Sequence, residues 1–299
     1  MKRIIYIFYS FIFLGSFVII SCSEMQSDIT PPSSISIHKE GVSDPASENF
    51  HGKIIKQLNW KLKNCQQCHG YNYSGGITNA SCLDCHKFPG GPESCNTCHG
   101  DFYNLMDIAP PRDLSGEVST SARGVGAHYQ HMGGNKLGME IVCSECHKVP
   151  RGLNDEGHID GLPAEIIFGP FASYRTTEEN KPAYNQSSIS CSNTYCHGNF
   201  SFNKNSASEL SKFAYTDSVM LGNNSNPIWN KVDGNFSKCN SCHGKSEIDP
   251  SPVGHINTTI AYCGEPFCHP GVVDNTGKII DQSKHINGKI NVRGVEYEH

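Results

Sequence analysis

The sequence predicts a mostly irregular fold, with short helices and a few β-hairpins wrapped around bound prosthetic groups and little conventional core. Three observations lead there. Only 37% of the 299 residues are apolar, by a count that includes Cys. The chain also holds 29 Gly and 16 Pro, with long Ser/Asn-rich passages. Such a composition nears the disordered range unless something else supplies buried apolar surface. Finally, fourteen of the 15 Cys fall into seven pairs, and a His directly follows the second member of each.

Five of these pairs read Cys-x-x-Cys-His: Cys65/Cys68/His69, Cys82/Cys85/His86, Cys95/Cys98/His99, Cys143/Cys146/His147 and Cys239/Cys242/His243. Two have four residues between the thiols, Cys191/Cys196/His197 and Cys263/Cys268/His269. The shorter spacing is the signature of c-type haem attachment. On one helical turn, positions i, i+3 and i+4 share a face. Two thiols can then form thioethers to the vinyl groups of one porphyrin while the adjacent His ligates its iron. Positions i and i+5 do not share a face, so the longer motifs must bulge, as Gly264 and Pro266 within the last one suggest. Seven covalently bound haem c groups follow, and their burial would replace much of the missing core. A zinc ribbon could use Cys65, Cys68, Cys82 and Cys85, but zinc leaves the seven histidines unexplained. A disulfide framework leaves them unexplained too.

The fifteenth cysteine belongs to the N-terminus. Lys2-Arg3 and the apolar run 4–20 form the charged and apolar regions of a signal peptide at 1–21. An uncleaved membrane anchor is the rival, although the run is short of the roughly 20 residues of a comfortable span. Ile19-Ile20-Ser21-Cys22 resembles a bacterial lipobox, which implies export and a lipidated Cys22 as a membrane anchor. Residues 22–35 are Ser/Pro/Asp-rich and read as a tether. Net charge is −5, or −7 once Lys2 and Arg3 leave with the signal, and no basic patch is present, which disfavours nucleic-acid binding.

Removing the seven motif histidines from 15 leaves eight: His38, His51, His128, His131, His158, His255, His285 and His299. Three recur in one phrase, Gly157-His158-Ile159, Gly254-His255-Ile256 and Lys284-His285-Ile286, each before an extended-looking run (164–168, 258–262 and 289–292). His128 and His131 stand at i, i+3, able to reach two haems from one helical side. With His299 set aside at a frayed terminus, seven distal candidates match seven irons. That arithmetic favours bis-histidine ligation throughout, which closes the iron to substrate and separates electron transfer from small-molecule chemistry. No CxxCK motif, often found at the catalytic haem of multihaem nitrite reductases, is present.

The mixture of CxxxxCH with CxxCH motifs resembles the multihaem c-type cytochrome lipoproteins of metal-reducing and related bacteria. Cys68-His69-Gly70-Tyr71-Asn72-Tyr73, Gly90-Gly91 before Cys95, and Gly157-His158-Ile159-Asp160-Gly161 carry the likeness, which spans 38–292. It implies periplasmic or outer-surface electron transfer, lipid-anchored at the outer membrane. Redox proteins would be the partners, with an external acceptor such as a metal oxide or another cytochrome. It also makes His38 and His51 distal ligands. Two modules are expected: 36–161 with four haems, and 162–299 with three haems and one ligand taken from the first. The motif-free stretch 199–238 reads as a long surface excursion. Two other functions compete: a reductase with one open haem, and a subunit of a cytochrome filament in which a terminal His serves a neighbour.

Overall fold

A computed structural model describes residues 37–104, 107–134 and 137–298. The expected signal peptide, Cys22, the tether and His299 lie outside the described residues. The chain divides into two compact units, Met1–Trp60 and Lys61–His299.

In the first unit, residues 40–50 form successive turns that lead into helix α1 (His51–Gln57). His51 opens that helix. Its backbone N–H donates to Val42 O at 2.8 Å, and its ring Nδ1 to the same oxygen at 2.9 Å. The Phe50 ring lies 4.4 Å from the imidazole.

The second unit is mostly irregular. Among the described residues, its regular elements are helices α2 (Lys63–His69), α3 (Cys95–Cys98) and α4 (Cys239–Cys242), several 3-10 turns, and three two-stranded antiparallel sheets. The sheets pair β1 (Ala183–Asn185) with β2 (Ser190–Ser192), β3 (Ser201–Asn203) with β4 (Val219–Leu221), and β5 (Ile290–Val292) with β6 (Val295–Tyr297). The last hairpin turns through Arg293 and Gly294, at φ 54° and 75°. Two successive left-handed residues make the tight turn that follows strand twist. Among the described residues no sheet has more than two strands, in keeping with the expected irregular fold with a few β-hairpins.

Apolar burial is thin. Among the described residues, eleven hydrophobic side chains are buried, and the largest cluster is Ala207, Ala214, Tyr215 and Met220 with Phe202 packed against it. This cluster overturns one expectation. Residues 199–238 are not a surface excursion: they hold β3, β4 and the main hydrophobic cluster. Of the three expected extended runs, only 289–292 yields a strand, β5. Residues 258–262 end in a 3-10 turn at Ile260–Tyr262, and 164–168 are irregular. Their backbone bonds go to loops instead, Ile260 N to Ile248 O at 3.3 Å and Ile167 N to Cys146 O at 2.9 Å.

Candidate haem-binding centre

Most motifs are built on a short helical turn. The first lies on α2, the third on α3 and the fifth Cys-x-x-Cys-His on α4, while Cys82–Asp84 and Cys143–Glu145 are 3-10 turns. In four of them the His N–H donates to the first Cys carbonyl: His86 to Cys82 at 2.9 Å, His99 to Cys95 at 3.0 Å, His147 to Cys143 at 2.9 Å and His243 to Cys239 at 3.1 Å. Such closure holds both thiols and the imidazole to one side of the turn. The two longer motifs differ from each other. Cys191 sits on β2, opposite Tyr184, and Asn193 at φ 57° turns the chain into a 3-10 turn at Tyr195–His197. In the last motif, His269 N–H reaches Cys263 O at 2.9 Å, the same closure around two more residues.

Five motif histidines meet a non-motif histidine. Ring centroids lie 6.2 Å apart for His99 and His158, 6.2 Å for His128 and His147, and 6.1 Å for His131 and His197. They lie 6.4 Å apart for both His243/His285 and His255/His269. This spacing is too wide for ring-on-ring contact. It does suit a single metal atom between two imidazoles: about 2 Å from each nitrogen to the metal and about 1 Å from each nitrogen to its ring centre give about 6 Å.

The hydrogen bonds agree. Nδ1 faces a backbone carbonyl in His128 (Val125, 2.8 Å), His131 (Ala127, 2.9 Å), His147 (Glu165, 3.2 Å) and His158 (Gly152, 3.1 Å). The same holds for His243 (Pro250, 2.7 Å), His255 (Ile256, 2.7 Å), His269 (Asn291, 2.5 Å), His285 (Leu137, 2.6 Å) and His69 (Ala80, 2.9 Å). A carbonyl only accepts, so Nδ1 carries the proton and Nε2 keeps its lone pair. Carbonyl-anchored Nδ1–H is the usual outer partner of a metal-ligating histidine. His197 differs, since its Nδ1 is buried without a hydrogen-bond partner.

Burial adds a further push. It lowers the pKa of His99, His128, His243, His255 and His269, and holds those of His197 and His285 down to about 4. All seven favour neutral imidazole, the ligating form. Burial likewise raises the Cys98 and Cys146 thiols to about 11, and those of Cys191 and Cys196 to about 12. Zinc needs thiolates, and among the described residues no three Cys, His, Asp or Glu side chains converge as on a metal ion. The described cysteines form no disulfide. An uncharged, thioether-linked sulfur suits these surroundings. Apolar side chains beside the motifs are exposed, including Leu83, Val142, Val149, Tyr262 and Phe267. His86, Tyr71, Tyr73, Leu83 and Phe88 line a cavity of about 990 Å³. Both are surfaces that a porphyrin would cover.

Several positioning residues escape a reading by spacing. Asn96, within the third motif, is among the most buried side chains and donates to Phe102 O at 2.9 Å. Glu145, within the fourth, is buried and accepts from Phe171 N and Ala172 N, both at 3.0 Å. Tyr195, within the Cys191–His197 motif, packs edge-on against Phe171 and Tyr174. These residues stand at positions where any residue would satisfy the attachment pattern. The cluster in 199–238 positions His255: Ile256 N donates to Ala214 O, Thr216 N to Gly254 O, and Tyr215 bridges His255. His38 and His51 belong to the first unit.

Between the Cys191–His197 and Cys239–His243 motifs, residues 222–225 act as a seam. Asn223 N donates to Cys242 O at 2.9 Å, Asn224 N to Gly198 O at 3.0 Å and Ser225 N to His197 O at 3.0 Å. Gly198, at φ 92°, lies where a Cβ would collide with Cys242 O, so the motifs pack backbone to backbone. The CxxxxCH and CxxCH segments thus form one structural piece.

Cysteine–histidine turns and paired imidazoles on a largely irregular chain are the arrangement that c-type haem attachment calls for. Residues 190–243 match the family described as the Geobacter CxxxxCH...CXXCH motif, consistent with a multihaem c-type cytochrome of that group. No curated protein and no solved structure matches the chain.

Proposed function

We propose that the chain is a heptahaem c-type cytochrome that carries electrons through bis-histidine haems and is not itself an enzyme. One observation supports this above the others: five motif histidines each face a second histidine at 6.1–6.4 Å. Haem iron supplies one-electron chemistry by cycling between ferric and ferrous states. The chain's part is to present two neutral imidazoles to each iron, leaving no coordination position for substrate.

His99, His147, His197, His243 and His269 would be proximal ligands, with His158, His128, His131, His285 and His255 opposite them. The expected loan of one ligand between modules 36–161 and 162–299 then falls on His131. Export, lipid anchoring through Cys22 at the outer membrane, and transfer to redox proteins or an external acceptor complete the reading. Their support is the N-terminal sequence and the family likeness.

Intact mass and low-temperature EPR of the full-length, matured protein test the proposal. Seven attached haems and a wholly low-spin ferric spectrum are expected. A high-spin signal in the native protein would instead favour a reductase with an open iron.

A further inference from the structure

We infer that Trp229 is a positioning residue that sets the imidazole planes of two neighbouring iron sites at once, His128/His147 and His131/His197. The inference rests on the bis-histidine reading above.

His128 and His131 stand three residues apart on a distorted helical turn, yet they face different motif histidines. The indole lies against both. Its centroid is 4.7 Å from His128, edge-on at 90°, and 5.7 Å from His131, nearly parallel at 23°. It is held on two sides. Nε1 donates to Arg123 O at 2.9 Å, and the neighbouring Asn230 donates to Ser121 O at 2.9 Å. From behind, Trp229 N donates to Ile189 O, beside the strand that bears Cys191. Gly126, at φ 45°, completes the fit, because a Cβ there would collide with the indole. The ring is therefore fixed to the His128/His131 segment and to the backbone that carries the partner motif of His131.

This matters because the two sites differ. The imidazoles of His128 and His147 are 18° from parallel, whereas those of His131 and His197 cross at 65°. The relative orientation of axial imidazole planes sets how the iron d orbitals split, so outer-shell groups that orient the rings tune the metal. A single indole, edge-on to one ring and stacked on the other, holds the near-parallel and the crossed geometry together.

The test uses the full-length, haem-loaded protein with Trp229→Ala and Trp229→Phe, read by low-temperature EPR alongside intact mass. Trp229→Ala is expected to keep seven haems and low-spin iron while two of the seven signals shift, one near-parallel and one crossed. Trp229→Phe keeps a ring but loses the bond to Arg123, and should move the same two signals by less. If the alanine variant does not mature, the phenylalanine variant carries the test. An unchanged spectrum overturns the inference. So does a change spread over all sites, which would mark Trp229 as packing alone. High-spin iron or missing haems in the unsubstituted protein would instead defeat the bis-histidine reading.

Discussion

The two CxxxxCH motifs solve one covalent problem in different ways. Around Cys191 the first thiol is delivered by a strand, and the motif is stitched to its surroundings: Cys191 N bonds Pro227 O, Tyr195 N bonds Ala172 O, and Ser225 bonds the His197 carbonyl. Around Cys263 the motif closes on itself through His269 N and Cys263 O, supported by local bonds from Tyr262 to Thr259 and from Cys268 to Glu265. Attachment chemistry constrains only where the thiols and imidazole end up. The chain can meet that requirement with tertiary contacts or with an enlarged turn. The second motif is also tied to the hairpin that follows it, through Arg293 N to Cys268 O at 2.9 Å and His269 Nδ1 to Asn291 O, so the difference predicts that the first site depends more on distant residues than the second.

The largest effect should come from the distal ligands. His131→Ala and His255→Ala should each convert one iron toward high spin while leaving all haems attached. His131→Ala should also disturb the His128/His147 signal, because Trp229 rests on both rings. His255→Ala should stay confined to one site. EPR of both variants checks this, and equal, single-site effects would erase the distinction between the regions.

Backbone substitutions come next. Gly198→Ala adds left-handed strain and a collision with Cys242 O, and should cost about 3 kcal/mol. Gly294→Ala, at φ 75° with open space around it, should cost only about 1 kcal/mol. Denaturant midpoints of the haem-loaded proteins measure both, and a Gly198 cost no larger than that of Gly294 would remove the claimed backbone packing.

Smaller still is the seam. Ser225 Oγ donates to Ser241 O and sits 3.1 Å from His197 O, joining the two motifs. Ser225→Ala should lose about 1 kcal/mol, visible as a lowered unfolding midpoint. Asp274→Ala, beside the last motif, removes an exposed loop cap to Thr276 and Lys278 and should lose less. A finer reading uses the unsubstituted protein alone. His99/His158, His128/His147 and His255/His269 lie within 33° of parallel, and His131/His197 and His243/His285 cross at 65° and 77°. Two groups of low-spin EPR signals should follow.

Much of the site was legible from the chain itself because thioether attachment is local. Two thiols and a histidine must lie within one turn, so spacing alone names Cys65 through His269 and predicts a short helix at most motifs. The thin core was legible too, from composition. Residues 199–238 were not: Ala207, Ala214, Tyr215 and Met220 carry no periodic apolar signal, and they cluster only because β3 pairs with β4. Nor does a repeated phrase become a repeated structure. His158 anchors to Gly152, His255 to the next carbonyl, and His285 to Leu137, 148 residues away.

The sequence by itself determined where the seven cysteine–histidine motifs lie and that eight further histidines exist to face them. Tertiary structure decided which histidine faces which, from 14 residues apart (255 to 269) to 66 (131 to 197). The reason is physical: a covalent motif is a constraint on one turn of chain, whereas an axial pair is a long-range contact. Its geometry is set by whatever packs behind each ring, by carbonyls for most and by Trp229 for two.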